Sequence, residues 1–226
     1  MPHWLEILRD AFVPLVAAGA AFTVPLTLLS FTLGLALGLA TALARAFGPK
    51  PLSLLARFYV WIIRGTPLLV QLFLIFYGLP AVGIVIDAFP AALIGFSLNM
   101  GAYTSEIIRA AIASVPQGQW EASYSIGMTW SQALRRTILP QAARVATPPL
   151  ANSFISLVKD TSLAAAITVT EMFQAAQRIA AANYEPLLLY SEAALLYLAV
   201  CSVLSALQSR LETRLGRHLS PLEIVR

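Results

Sequence analysis

Apolar positions run almost unbroken through long parts of the chain. Residues 11–44, 65–86 and 88–105 contain no charged side chain. Each run reaches or approaches the ~20 residues that carry a helix across ~30 Å of hydrocarbon. The pattern predicts five spans, at about 16–44, 58–79, 88–108, 142–159 with a hydrophobic continuation to 169, and 186–207. Glycine and proline inside several of them are compatible with membrane helices. The first uncharged run is 34 residues long, well beyond a signal-peptide core of ~7–15. It therefore reads as a retained helix, entered from a short amphipathic segment containing Trp4, Leu5, Leu8 and Phe12. Glu192, near the outer end of the fifth span, is expected to reach water.

Composition agrees with this pattern. The chain is 58% hydrophobic and 12% charged, whereas soluble domains carry about 25% charged residues. The fold class expected is all-α, a polytopic membrane protein. A net charge of +4 on so apolar a chain is not the basic patch of a nucleic-acid-binding domain. Cys201, the single cysteine, cannot form an internal disulfide. The basic residues select an orientation. With the N-terminus outside, Arg45, Lys50, Arg57, Arg109, Arg135, Arg136, Arg144, Arg210, Arg214, Arg217 and Arg226 lie inside, and only Arg9 and Arg178 lie outside. Four or six spans would spoil that separation. The host membrane expected is a bacterial plasma (inner) membrane.

The longest inner loop, residues 109–143, has mixed polarity. Residues 119–126 read as a short helix with Glu121 in its first turn, where a carboxylate favours the positive helix end. Gly127 interrupts it, by a tight turn or a close backbone approach. Thr129-Trp130-Ser131-Gln132 is a capping-box pattern that starts a second helix. That helix passes Leu134 and Ile138 and is expected to stop at Pro140, which cannot continue the hydrogen bonding. Trp120, Ile126, Trp130 and Leu134 would form apolar faces, with Glu121, Arg135 and Arg136 exposed. Periodicity alone allows an interfacial helix lying on lipid.

Glu121-Ala122-Ser123, Gly127 and Leu139-Pro140 resemble, in residue and spacing, the EAA motif of ABC importer permeases. Ser123 replaces the usual second alanine, and Thr137 the usual isoleucine, with Ile138 one place on. The resemblance extends to Arg64-Gly65-Thr66-Pro67-Leu68-Leu69-Val70-Gln71, to Gly101-Ala102-Tyr103 with Glu106 and Arg109, and to Lys159-Asp160-Thr161-Ser162-Leu163-Ala164. These segments look like the polar amino acid uptake branch (histidine, glutamine, arginine or cystine type). The resemblance implies a type I importer permease domain over 12–210, a cytoplasmic coupling loop over 116–140, and tails at 1–11 and 211–226. It implies a second permease copy or paralogue, a pair of ABC ATPase subunits that bind ATP and Mg, and an external solute-binding protein that delivers a polar amino acid. Glu121, Ala122, Ser123, Gly127, Leu139 and Pro140 would then couple to the ATPase. The chain lacks a Gly-x-x-x-x-Gly-Lys-[Ser/Thr] phosphate loop, so the expectation is a non-enzymatic transport subunit with no cofactor or metal of its own.

Charges at bilayer depth are functional candidates. Arg64 either snorkels toward the inner surface or joins the path. Lys159 and Asp160 lie past the midplane of the fourth span, about 22–24 Å along the helix from Arg144. Thr161 and Ser162 follow, able to satisfy a loosened backbone. Broken helices lining a cavity are where transporters place substrate. Asp160 is thus a candidate partner for an amino acid's ammonium and Lys159 for its carboxylate; the alternative is a structural bridge at a dimer gate. Asn99, Tyr103 and Ser105 either line the same cavity or bond a neighbouring helix. Residues 80–87 and 168–185 are the outer segments expected to meet the solute-binding protein; the second holds Glu171, Gln174, Gln177 and Arg178. An intramembrane protease is disfavoured: Gly95-Phe96-Ser97-Leu98 lacks the second glycine, and His3 and His218 stand at opposite ends. A self-sufficient secondary transporter or channel would need internal repeats, which the chain does not display. A non-transporting assembly subunit leaves the EAA loop unexplained.

Overall fold

In hydrocarbon each backbone N–H and C=O needs an internal partner, and a helix supplies one within its own segment. The computed structural model, which describes residues 3–216, is helical with no strand among the described residues. Arg217, His218 and Arg226 lie outside that range. Helix α1 (His3–Ala18) passes through a wider π-turn at Gly19–Thr23 into α2 (Val24–Phe47). The amphipathic opening segment and the first span are therefore one helix of 45 residues, about 67 Å at 1.5 Å per residue. Ile7, Ala11 and Leu15 of α1 pack on Met172, Ala176 and Leu189.

The second span is not the single helix that hydropathy suggests. Helix α3 (Lys50–Gly65) ends, Thr66 is extended, and α4 (Leu68–Phe73) departs at 105° before a π-turn and a short 3-10 segment that ends at Val82. Pro67 removes a backbone donor and pushes the preceding residue out of the helical region. An apolarity count cannot register that effect.

Helix α5 (Ala88–Ala113) lies centrally, against α2, α3, α4 and the later α8. It then gives way to α6 (Gln117–Ser125) and the single turn α7 (Trp130–Ala133). A π-turn at Leu134–Ile138 joins α7 to α8 (Leu139–Asp160), which continues as a 3-10 helix over Thr161–Ile167. Helix α9 (Met172–Asn183) lies on α1 and α10 (Pro186–Gly216). By length and apolarity His3–Phe47 and Pro186–Thr213 suffice to cross a membrane, and the bent pair counts as a third. Helices α5 and α8 have 26 and 22 residues, long enough to cross, but they carry more polar side chains.

The α2–α5 seam is close-packed through small residues. A Cβ on Gly34 would come within 2.6 Å of Met100 Cβ, and one on Gly38 would overlap Thr104 Oγ1 and approach the Gly101 carbonyl to 3.0 Å. Thr104 Oγ1 donates to the Met100 carbonyl at 2.8 Å and lies 3.2 Å from that of Gly34. Tyr59 of α3 joins the same seam by donating to the Leu98 carbonyl at 2.5 Å.

Candidate functional site

The unit between α5 and α8 is built around one turn. Ile126 ends α6, Gly127 takes φ +78°, and two hydrogen bonds close the motif: Gly127 N–H to the Tyr124 carbonyl at 2.9 Å and Met128 N–H to the Ser123 carbonyl at 3.1 Å. This is a Schellman ending, in which glycine is favoured at the left-handed position. A side chain at Gly127 would meet nothing within 4 Å, so the glycine serves the turn and not a close approach. The next helix starts on the expected capping box: Thr129 N–H donates to Gln132 Oε1 at 2.9 Å, and Gln132 N–H returns to Thr129 Oγ1 at 3.4 Å.

Two details differ from the sequence reading. Helix α6 begins at Gln117, so Glu121 lies past its first turn, where the helix-end field has largely decayed. Pro140 does not end the second helix. The turn before it widens, Leu139 N–H reaches the Leu134 carbonyl, and the missing donor of Pro140 falls at the start of α8, where it is harmless. The α7 turn and α8 are consequently one continuous helical rod, widened at Leu134–Ile138. The substitutions at Ser123 and Thr137 prove to be partners. Buried Ser123 donates to the Gln119 carbonyl at 2.7 Å, and its hydroxyl oxygen lies 3.1 Å from Thr137 Oγ1, fastening α6 to the rod. Leu134, Ile138 and Ala142 pack with Ile108 and Ile112 of α5. Leu139 is half-buried and Pro140 exposed. Glu121, Ala122, Tyr124, Ile126 and Trp130 are exposed, with Ile126 at 73%.

Farther along the rod, a cleft of about 430 Å³ opens between the Thr66–Pro67 break, α5 and α8. Thr66, Asn99, Tyr103, Asn152, Ser153, Ser156 and Asp160 supply its polar lining. Of the sequence candidates, Asn99, Tyr103 and Asp160 come together here. Lys159 is exposed but outside the lining, because adjacent residues on a helix point about 100° apart. Thr161 is buried and Ser162 half-buried; their hydroxyls return to the carbonyls of Val158 and Lys159 at 2.7 Å as the helix tightens to 3-10. Ser105 is buried, its hydroxyl on the Ala102 carbonyl at 2.7 Å. Gln71 braces the break. Its Nε2 reaches the Ile63 carbonyl at 2.7 Å and Thr66 Oγ1 at 2.9 Å, and its Oε1 accepts from Asn99 Nδ2 at 3.3 Å.

Arg64 does not simply snorkel. Its guanidinium carbon lies 5.3 Å from the centre of the Tyr103 ring, and Nη1 is 3.9 Å from Glu106 Oε1. Glu106 also pairs with Arg45 of α2 and, at 2.9 Å, with Arg109. One carboxylate thus gathers guanidiniums from three helices. Sequence reading isolated neither Arg45 nor Glu106 as a site, since Arg45 and Glu106 stand 61 positions apart.

Beyond the 3-10 segment, Glu171 is wholly buried and not part of a solvated surface. It caps α9 by accepting Gln174 N–H at 2.7 Å, and it accepts the Tyr197 hydroxyl at 2.7 Å. Burial raises its carboxyl above the ordinary range, against the lowering effect of those donors. Glu192 is 9% exposed, with Oε2 unpartnered. Packing of α10 on α1 and α9 withdraws it from the water it was expected to reach. Among the described residues no cluster of His, Cys, Asp or Glu has the grouping of a metal site.

Residues 34–217 match the family described as binding-protein-dependent transport system inner membrane component. The L-cystine transport system permease protein TcyB of Bacillus subtilis (strain 168) is 54% identical over 95% of this chain and 92% of its own length. The glutamine transport system permease protein GlnP of Escherichia coli (strain K12) is 38% identical over 90% and 94%. A crystal structure of an amino acid ABC transporter with histidines superposes with a TM-score of 0.88 at 37% identity, covering 95% of this chain and 99% of that one. The MetNI methionine ABC transporter in an inward-facing conformation, 20% identical, shares the fold at a TM-score of 0.74 over 89% and 96%. The chain belongs to the family of binding-protein-dependent transport system inner membrane components, and its relatives there include amino acid ABC transporter permeases.

Proposed function

We propose that this chain is the transmembrane subunit of an ATP-driven importer of a polar amino acid. It crosses the membrane five times, N-terminus outside, and pairs with a second copy or a paralogue. Two ATPase subunits, which bind ATP and Mg, dock on the exposed Glu121–Ile126 face. A solute-binding protein delivers substrate at the outer segments. The chain performs no covalent chemistry.

The observation that carries this reading is the rod. A single helical run leads from the capped turn at Thr129 to Asp160 in the cleft. Movement of the inner turn, driven by the ATPase pair, reaches the cleft along this continuous run, through the π-turn at Leu134–Ile138 and past Pro148 and Pro149. This supports alternating access: ATP binding draws the coupling turns together and opens the cleft outward, and hydrolysis lets it open inward. Asp160 accepts the ammonium of the substrate, and Asn99 and Tyr103 line the same path. Arg64 stands at its edge. Membership of the family above argues against a transporter that works alone.

The complex, reconstituted in vesicles with its solute-binding protein, is expected to take up L-cystine, L-glutamine or L-arginine only with ATP. L-cystine comes first because the 54% identical relative carries that name. Asp160→Asn is expected to lower apparent affinity about tenfold or more, the scale of a lost charge-assisted hydrogen bond, while assembly is retained. Unchanged affinity in an assembled complex would remove Asp160 from the path.

A further inference from the structure

The C-terminal helix reaches the cleft by a directed chain of hydrogen bonds. Gln208 of α10 donates from Nε2 to Asn152 Oδ1 at 2.9 Å and to Glu212 Oε1 at 2.8 Å. Asn152 lines the cleft. The two ends of a side-chain amide have nearly the same size, but a carboxylate distinguishes them, because it only accepts. The Gln208 atom facing Glu212 is therefore the nitrogen. Its second hydrogen goes to Asn152, so the Asn152 atom meeting it is the oxygen. The Asn152 end left over is Nδ2, a donor.

The other donors of the cleft are the Tyr103 and Ser156 hydroxyls, while those of Thr66 and Ser153 return to the Ile62 and Pro149 carbonyls at 2.9 Å. Lys159 is outside the lining. The other amide, Asn99, already engages Gln71 through Nδ2. Asp160 supplies an acceptor two turns away on the same helix, about 12 Å along the axis.

We infer that Gln208, oriented by Glu212, is a positioning residue that makes Asn152 a hydrogen-bond donor into the cleft, where it receives the substrate's carboxylate. This rests on the reading of the cleft as the substrate path. The C-terminal helix thereby sets the polarity of a site that it does not itself line.

Equilibrium binding to the purified permease–ATPase complex, without solute-binding protein, tests this. The probes are labelled L-cystine, L-glutamine and L-arginine, and the one bound best by wild type is carried forward. Gln208→Glu presents an acceptor, turns the Asn152 amide over, and is expected to weaken binding about tenfold. Gln208→Lys, with donors only, keeps the Asn152 direction and is expected to bind within about twofold of wild type. In an Asn152→Ala background the two variants are expected to bind alike, which separates a route through Asn152 from a general charge effect. Gln208→Glu binding as wild type, or a Glu–Lys difference that persists without Asn152, overturns the positioning role. Asp160→Asn is the parallel control. If it weakens binding and Gln208→Glu does not, the cleft reading stands and this inference fails. If neither weakens it, or wild type binds none of the three, both fail.

Discussion

Helix α5 meets α2 on one side and α8 on another, and the two contacts are made of different materials. Against α2 it presents Gly101 and Thr104 to Gly34 and Gly38, close enough that an added methyl group collides. Against α8 it presents Asn99, Met100 and Tyr103 across an open cleft. The first contact has no room to slide; the second is packed at one end, where Ile108 and Ile112 meet Ile138 and Ala142, and opens at the other into a cleft with polar walls. The contrast divides the molecule into a close-packed half (α2, α3 and α5) and a helical run (α7 to the end of the 3-10 segment), with the cleft opening between them.

The comparison is broken most directly at Gly38. Gly38→Leu places a side chain where Thr104 and the Gly101 carbonyl already sit. Overpacking costs about 1–3 kcal/mol or more, and here backbone stands in the way. The expected outcome is loss of folded protein, read as loss of the monodisperse peak in detergent. An assembled complex with normal uptake would mean that the α2–α5 seam is not the close-packed half.

Glu106→Gln is the next largest. It leaves Arg45, largely buried, beside two further guanidiniums with no carboxylate to share. Breaking a buried pair from one side costs about 3–5 kcal/mol. Since the Arg64 and Arg109 side chains are 44% exposed, solvent screening reduces this to about 2 kcal/mol. Thermal unfolding of the purified complex checks it. A melting temperature equal to wild type would show that the cluster does not hold α2, α3 and α5 together.

On the side of the helical run, Gly127 distinguishes a structural cost from a coupling cost. Gly127→Ala is expected to cost about 1 kcal/mol for a left-handed residue other than glycine, with uptake preserved. Gly127→Asp, a residue more tolerant of that conformation, adds bulk and charge on a face that nothing in this chain covers. It is expected to leave assembly weakened or intact while ATP hydrolysis continues without uptake. Hydrolysis and uptake falling in proportion would count against the turn as a coupling element.

Much of the unit between α5 and α8 was legible because its signals are local. A capping box needs two residues three apart, and a left-handed turn needs one glycine; Thr129, Gln132 and Gly127 do what their spacing predicts. The break at Thr66 was not legible in hydropathy, because the uncharged run of residues 65–86 continues straight through Pro67. Asp160 was legible as a charge in a membrane helix, but Lys159 beside it has the same signature and lies outside the cleft. Face, not depth, separates them, and face depends on how α8 rotates against α5. The Glu106 cluster and the burial of Glu171 and Glu192 depend on helices that approach only after folding, so no window of sequence contains them.

Glu171 gives the smallest effect and sharpens the account of the α9 cap that follows the rod. Its carboxyl is wholly buried, with no cation against it among the described residues, and burial holds its pKa above the ordinary range. A raised acid binds its proton more tightly in the folded state, so its contribution to stability is fully present below the ordinary carboxyl pKa. That contribution is lost as pH rises through the raised value. The melting temperature of the complex is therefore expected to carry a component that falls with rising pH. In Glu171→Gln the side-chain carbonyl still accepts Gln174 N–H and the amide meets the Tyr197 oxygen, so α9 keeps its cap while the titrating group is gone. That variant is expected to flatten the pH dependence relative to wild type. A slope identical to wild type would show that Glu171 stays in one protonation state throughout. The cap of α9 would then be a fixed joint with no dependence on pH.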